Sequence, residues 1–247
     1  GQLRITDFPL PPGTEELGFT FRSNQSPDLY GFQLVGEPGV QVDNLGLRGH
    51  SGNWLKRIRT SFLRTQLDTI DPELIVFQYG GNVVPYPETK DRGWLEAETY
   101  RLIRRYQRLC PDASILVIGV ADASWKDGEY WTTYPTVEPI RQAQQRAARR
   151  AGVAFWDLYE AMGGKNSMVA WVNQQIPLAA DDYAHFSYYG QRLVAKMLYR
   201  SLMNEYIRYR DAHWPAANDA QPSAADSSEA GQAQAAQDST TQSQEGL

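Results

Sequence analysis

The sequence predicts an α/β protein built on a parallel β-sheet. Three short apolar runs are the candidate strands, at residues 74–79, 114–120 and 153–156. Three longer stretches with helical spacing of apolar residues alternate with them, at 94–109, 137–150 and 187–209. Strands that are apolar throughout and alternate with helices are typical of a parallel sheet covered by helices on both faces.

Residues 1–43 show a different pattern. They contain short apolar runs and no helical spacing, namely Leu3–Phe8, Leu17–Arg22, Tyr30–Val35 and Val40–Val42. Turn-forming segments rich in Pro, Gly, Asn and Ser separate these runs, as they do in β-hairpins. We therefore expect residues 1–43 to be the C-terminal part of a β-rich module.

The strand–helix pattern begins near Asn44. The first apolar run, Leu74–Tyr79, stops at Gly80-Gly81, and the helix that closes at Leu109 is followed by Cys110-Pro111. Residues 44–210 are therefore expected to form one α/β domain.

The last 37 residues, 211–247, are dominated by Ala, Gln, Ser, Asp and Thr. Beyond Trp214 they hold almost no large apolar side chain, so they cannot bury enough surface to offset the loss of chain entropy. We expect this segment to be a disordered, acidic, low-complexity tail.

The charge distribution excludes an extended nucleic-acid surface. Six of the 29 acidic residues follow Arg210, whereas none of the 24 Lys and Arg do, so the remainder of the chain is close to neutral. A nucleic-acid surface would need a basic excess. The single cysteine, Cys110, excludes an internal disulfide framework, and no apolar run approaches the ~20 residues of a membrane span.

An Asp-x-x-His stretch, Asp182-Tyr183-Ala184-His185, lies on a loop just before the last predicted helix. A catalytic histidine needs a carboxylate that fixes its tautomer and stabilises the imidazolium formed during proton transfer. If the loop turns back, Asp182 can reach the His185 ring. The pattern predicts His185 as a general base and Asp182 as its orienting acid.

Two glycine-containing stretches are the other candidates, because functional groups in parallel sheets collect at the carboxyl ends of strands. Residues 44–52 hold three glycines, which allow backbone N–H groups to point at an anion. Gly80-Gly81-Asn82 directly follows the 74–79 run, and an Asn amide at such a position can donate to an oxyanion. Taken alone, each stretch is equally typical of an ordinary turn with no functional role.

Together these stretches resemble the blocks of the SGNH (GDSL-type) ester hydrolases. Residues 44–49 are similar to the Gly block, with Gly49 at the oxyanion-hole position, Gly80-Gly81-Asn82 to the Asn block, and Asp182 to His185 to the last block. The resemblance covers roughly residues 40–207 and implies a three-layer α/β/α, flavodoxin-like sheet. It also implies Ser-His-Asp chemistry in which Gly49 and Asn82 hold the oxyanion. The overall pattern is similar to bacterial cell-envelope members, among them peptidoglycan O-acetylesterases.

The Gly-Asp-Ser block of that family is absent from these 247 residues. In some envelope members a β module separates the Ser block from the Gly block, so residues 1–43 would be the tail of that module. The first strand and the nucleophile would then lie upstream, and this piece alone would be inactive. Ser51 is an alternative nucleophile, since Gly49-His50-Ser51-Gly52-Asn53 approaches a Gly-x-Ser-x-Gly elbow, but Asn53 breaks the motif.

Several aromatic residues follow the predicted strands and are possible substrate contacts, namely Tyr86, Trp125, Tyr130 and Trp131. We place them in loops, where they would either stack on sugar rings or cover the edge of the sheet. Asp122 would be a site residue or a loop cap. His50 and His185 lack a clustered third ligand, so no metal and no other cofactor is expected.

The resemblance implies an esterase that removes small acyl groups, O-acetyl above all, from a cell-wall or other polysaccharide or a small ester. It implies a bacterial protein that is periplasmic, secreted or otherwise in the cell envelope. A polysaccharide O-acyltransferase would use the same residues, and a non-catalytic glycan-binding envelope module remains open because the nucleophile is missing. The sequence does not set the oligomeric state.

Overall fold

The computed structural model describes residues 4–25, 28–36, 39–46, 49–86 and 93–214. The contacts divide the chain into a first unit of residues 1–187 and a second of residues 188–247. The predicted sites that the structure describes all lie in the first unit.

A parallel sheet of three strands is the centre of the first unit. Its strands are β1 (Leu74–Gln78), β2 (Ser114–Ile118) and a third, Ala154–Trp156, which is β5 in chain order. The spatial order is β1-β2-β5, and Gln78 of β1 and Trp156 of β5 both align with Ile118 of β2. The predicted α/β class with a parallel sheet is confirmed, and each strand lies within its predicted run.

Helices alternate with these strands as the sequence predicts. They are α1 (Thr60–Ile70), α2 (Gly93–Leu109) and α3 (Val137–Ala151). The main apolar core combines one face of the sheet with the buried stripes of these helices, and it contains Leu63, Leu67, Phe77, Leu102, Ile103, Tyr106, Leu109, Ile115, Val117, Ala148 and Ala151. Helix α3 ends at Gly152, whose φ of 70° and N–H bond to the Ala148 carbonyl close the last turn.

Four shorter elements complete the first unit around the loops that follow the sheet. They are the antiparallel strands β3 (Ser124–Asp127) and β4 (Tyr130–Thr133) and the helices α4 (Leu158–Met162) and α5 (Ser167–Val172). There are two short 3-10 helices in the described residues: Asn53–Arg57 begins directly after the 44–52 stretch, and Gly81–Val83 contains Gly81 and Asn82 of the second stretch.

The described residues between 4 and 46 contain neither helix nor strand, so the hairpin strands expected there are not formed. Their large side chains stay exposed, with 72% of Phe8, 76% of Val35 and 85% of Val42 accessible. Short strands are at best marginally stable without a third strand or an apolar surface to cover. The assignment of residues 1–43 to an inserted β module stays a prediction.

The second unit is described for residues 188–214 and consists of α6 (Tyr188–His213) and Trp214. This confirms the helix predicted at 187–209, which continues to His213, past the expected start of the tail. The remainder of that tail, 215–247, lies outside the described residues. No helix in the described ranges is both long enough and apolar enough to cross a membrane.

Candidate active site

The Asp-x-x-His stretch folds back on itself as its spacing predicts. Asp182 Oδ2 lies 2.7 Å from His185 Nδ1. Asp182 Oδ1 accepts hydrogen bonds from the backbone N–H groups of Ala184 and His185, each at 2.9 Å. One carboxylate therefore holds both the ring and the backbone of the histidine, and this leaves Nε2 as the nitrogen that can take a proton from a nucleophile.

The electrostatics of Asp182 suit this role. Partial burial acts to raise its pKa, but the two backbone N–H groups and the His185 side chain outweigh burial and lower the pKa below its ordinary value. Asp182 is therefore ionised at neutral pH and stabilises a protonated His185. The His185 side chain is 83% exposed, so a substrate can reach it.

The turn is fixed by contacts on both sides. Ala179 and Phe186 pair as an antiparallel bridge, and the Ala180 N–H donates to the His185 carbonyl at 2.8 Å. Tyr183 sits between the acid and the base with φ of +57°, a conformation that non-glycine residues adopt only when their surroundings impose it.

The β3–β4 hairpin supplies those surroundings. The Ser124 N–H donates to the Tyr183 carbonyl at 2.9 Å, and the Trp131 ring stacks on the Tyr183 ring at 3.9 Å between centroids with 9° between their planes. Trp131 therefore packs against the turn that carries Asp182 and His185, and the sugar contact expected of it stays a prediction.

The placement of three aromatic residues in loops is wrong. Trp125, Tyr130 and Trp131 lie on β3 and β4, which a two-residue turn at Gly128-Glu129 connects. The missed signal is the Gly-containing pair Gly128-Glu129 before Tyr130–Thr133, a segment of aromatic and β-branched residues. The preceding strand, Ser124–Asp127, has low β propensity apart from Trp125, which is why the hairpin is hard to see in the sequence. Gly128 adopts a φ of +64°, as such turns require.

The aromatic residues predicted to contact substrate differ in how exposed their side chains are. Tyr130 is 78% exposed, and Tyr86, after the Asn82 segment, is 66% exposed. Trp125 is half-buried and stacks against Tyr134, with 6.1 Å between centroids. A sugar contact at these positions stays a prediction.

Asp122 is a structural residue that sequence reasoning left open. It is fully buried, and its Oδ2 accepts the Met168 N–H at 2.8 Å and the Ser167 hydroxyl at 3.3 Å, which ties the start of α5 to the end of the β2 segment. Burial raises the pKa of Asp122, while these hydrogen bonds act in the opposite direction. Asn166, also missed, accepts the Thr133 N–H at 3.0 Å and so fixes β4 to α5.

The two predicted oxyanion donors are brought to neighbouring loops. Asn82 lies in the short 3-10 helix after β1, and its amide donates to the His50 carbonyl at 3.2 Å. Gly49, one residue before His50, has φ of +78°. An amide nitrogen carries two hydrogens, so Asn82 can hold the Gly49 loop and still donate to a substrate oxygen. Leu47 and Arg48 of the same block lie outside the described residues.

The Asp182–His185 pair and the oxyanion candidates Gly49 and Asn82 lie at the carboxyl edge of the sheet. Asn82 follows β1, and the turn that contains His185 is bonded through Tyr183 to Ser124, which follows β2. Because β1 and β2 end in register, this edge is common to the acid–base pair and the oxyanion candidates. Ser51, the alternative nucleophile, lies beside Gly52 on the Gly49 loop, and these described residues show no hydrogen bond between Ser51 and His185.

A buried glutamine holds this edge together. Gln144 of α3 is 3% exposed, donates to the Tyr79 carbonyl at 2.5 Å and accepts the Val120 N–H at 2.9 Å. It thus bonds the first residue after β1 to the segment after β2. A Cβ on Gly80 would lie 2.8 Å from the Gln144 amide nitrogen, so the glycine at this position makes room for the clamp.

Replacing Gln144 with leucine should therefore destabilise the chain. The change leaves a buried carbonyl and a buried N–H without their partner, which should lower the free energy of unfolding by about 2–4 kcal/mol. Urea denaturation followed by circular dichroism measures the loss. Gln145→Leu, at the exposed neighbouring position of the same helix, is the matched control, and equal stability of the two variants would contradict the clamp.

The GDSL-like lipase/acylhydrolase family matches residues 13–193. The chain belongs to this family. The resemblance to SGNH (GDSL-type) hydrolases seen in the sequence blocks is thereby confirmed.

Solved structures similar to this GDSL-family chain include a peptidoglycan O-acetylesterase, which is 30% identical with a TM-score of 0.58. That match covers 65% of this chain and 45% of the esterase chain, so this chain spans less than half of the esterase's length.

Two further structures are more distant. A carbohydrate esterase family 3 protein from Talaromyces cellulolyticus is 17% identical, with coverage of 64% of this chain and 68% of that chain and a TM-score of 0.46. The periplasmic domain of a lipopolysaccharide acetyltransferase from Salmonella ser. Paratyphi A is 10% identical, with coverage of 58% and 61% and a TM-score of 0.41. No curated protein matches the sequence.

Proposed function

We propose that this chain is the acid–base part of a serine esterase that removes small acyl groups, O-acetyl above all, from a cell-wall polysaccharide. The observation that carries the proposal is the 2.7 Å contact between Asp182 and His185 at the carboxyl edge of a parallel sheet. Membership of the acylhydrolase family and 30% identity to a peptidoglycan O-acetylesterase support it. The same identity supports a bacterial protein of the cell envelope.

In the proposed mechanism a serine hydroxyl attacks the acetyl carbonyl while His185 Nε2 takes its proton. The intermediate collapses, and His185 returns the proton to the departing sugar oxygen. A water molecule, activated by His185 in the same way, then releases acetate from the serine. Asp182 stays ionised throughout and holds Nδ1–H.

We place the serine on a strand upstream of this chain that pairs with the free edge of β1. Within the described residues β1 pairs with β2 alone, and 47% of Leu74 and 45% of Val76 are exposed along it. A strand on this side would end at the carboxyl edge, beside the Asn82 loop.

The oxyanion would be held by the Gly49 N–H, the Asn82 amide and the N–H of the serine. Asn82→Ala should lower kcat by about 10²–10³-fold, the usual cost of losing one such donor. The measurement is acetate release from O-acetylated peptidoglycan by the complete protein.

Asn173→Ala is the matched control, because Asn173 is exposed and bonds the Val169 carbonyl of its own helix. Wild-type turnover by the Asn82 variant would contradict the oxyanion assignment. Transfer of acetyl to an added glycan acceptor in place of release to water would make the protein an acyltransferase. No acetyl chemistry of either kind would favour a non-catalytic module.

A further inference from the structure

A basic cavity of about 920 Å³ lies between the loop before α1 and the outer face of α2, away from the acid–base pair. Its volume is in the range of ligand-binding pockets. The first wall is formed by the end of the 3-10 helix and the start of α1, and its cationic residues are Lys56, Arg57, Arg59 and Arg64.

Helix α2 forms the second wall and adds four more cations, namely Arg101, Arg104, Arg105 and Arg108. Their spacing places them on one face of the helix, as a stripe about 10 Å long. A stripe of this length can contact more than one charge of an extended ligand.

The positive charge of this cavity is largely uncompensated. In the described ion pairs, Glu98 is the acid that reaches these cations, and it binds both Lys56 and Arg101. Arg105 donates to the Leu55 carbonyl at 2.6 Å and to the Ile58 carbonyl, which are neutral acceptors. The chain as a whole carries a net charge of −5, so the cavity concentrates charge of the opposite sign.

The cavity adjoins the loops of the candidate active site. Lys56 and Leu102 of its lining also line a small pocket of about 30 Å³, which is room for about one water molecule. Ser51, Gly52 and Gly80 line that pocket too, and these residues belong to the two loops that carry Gly49 and Asn82. A ligand bound in the cavity would therefore lie beside the loops of the oxyanion candidates.

We propose that this cavity binds a carboxylate- or phosphate-bearing segment of an acidic polysaccharide and so tethers the acylated substrate. The tethering role rests on the proposed esterase function, whereas the binding of the anionic chain does not. A single-stranded nucleic acid fits less well, because such sites stack bases on aromatic side chains. The aromatic residue in this lining, Tyr100, is covered by the Arg150 guanidinium at 4.1 Å from its ring.

The test is the binding of fluorescently labelled oligogalacturonate to the 247-residue chain, measured by fluorescence anisotropy at low salt. We expect binding that weakens as salt is added, and no binding of a neutral dextran oligomer. Arg104→Gln combined with Arg108→Gln should weaken it about tenfold, as expected for two exposed charge contacts at the upper end of their range. Both arginines are exposed, and glutamine is a good helix former, so the fold should be retained.

The matched control is Lys196→Gln combined with Arg200→Gln, which removes two exposed charges from α6. Equal affinity of the two double variants would overturn the proposal, and so would tighter binding of an oligodeoxythymidylate of equal charge. Repeating the measurement with polyphosphate shows whether the cavity prefers phosphate or carboxylate groups, and binding of either anion supports the proposed site. Because anisotropy needs no ester cleavage, binding without acetate release by the complete protein would refute the esterase and leave the anion site standing.

Discussion

Replacing His185 with alanine should lower kcat of the complete protein for the proposed ester hydrolysis by about 10⁶-fold, because a Ser-His-Asp set works as a unit. Without the imidazole, the serine and the departing alcohol lose the group that is proposed to exchange protons with both. Acetate release from O-acetylated peptidoglycan measures the loss, with 4-nitrophenyl acetate as a second substrate.

His213→Ala is the control for this prediction. His213 bonds the Tyr209 carbonyl near the end of α6, so its loss removes an imidazole without touching the proposed chemistry. Circular dichroism of both variants checks the fold. If the two histidine variants had similar kcat values, His185 would not be the base.

Asp182→Asn is expected to lower kcat by about 10⁴-fold while leaving the turn in place. The asparagine carbonyl oxygen can still accept the Ala184 and His185 N–H groups that Asp182 Oδ1 binds. Its NH₂ group would then face His185 Nδ1 and force the ring proton onto Nε2. A ring with that tautomer cannot accept the serine proton.

Asp181→Asn provides the comparison, since it makes the same chemical change one residue earlier at an exposed position. The predicted signature is a loss in kcat with KM nearly unchanged, since the carboxylate acts on the base and not on the substrate. A loss confined to KM would mean that Asp182 contacts the substrate.

The features that could be predicted from the sequence are those that depend on residues close together in the chain. Residues 74–79 and 114–120 are runs of mainly apolar side chains, and the structure has strands inside both runs. Strand β2 is buried along most of its length, whereas Leu74 and Val76 of β1 stay partly exposed. The pairing of Asp182 with His185 needed only a turn over three residues. The assignment of Gly49 and Asn82 relied on the resemblance, and their role in the oxyanion hole stays a prediction.

The missed features depend on contacts between distant segments. Gln144 lies 65 residues from its partner Tyr79. Helical spacing places it on the apolar face of α3 with Ile140 and Ala148, but no local pattern indicates which distant backbone groups it binds. The basic cavity combines residues 56–64 with residues 101–108, and both segments are rich in Lys and Arg. Acidic residues elsewhere in the chain outweigh this positive charge, so the net charge of −5 hides the cluster. The described residues between 4 and 46 form no strand, because a local pattern does not supply the apolar surface that a strand must cover.

Two neighbouring residues of the β3–β4 hairpin have different surroundings. Trp131 stacks on Tyr183 in the turn between Asp182 and His185, while the ring of Tyr130, the residue before it, is 78% exposed. Under the proposed function, a substitution that refits the hairpin to a new glycan would also shift the support of His185. We therefore expect the residue at position 130 to vary among relatives more readily than Trp131.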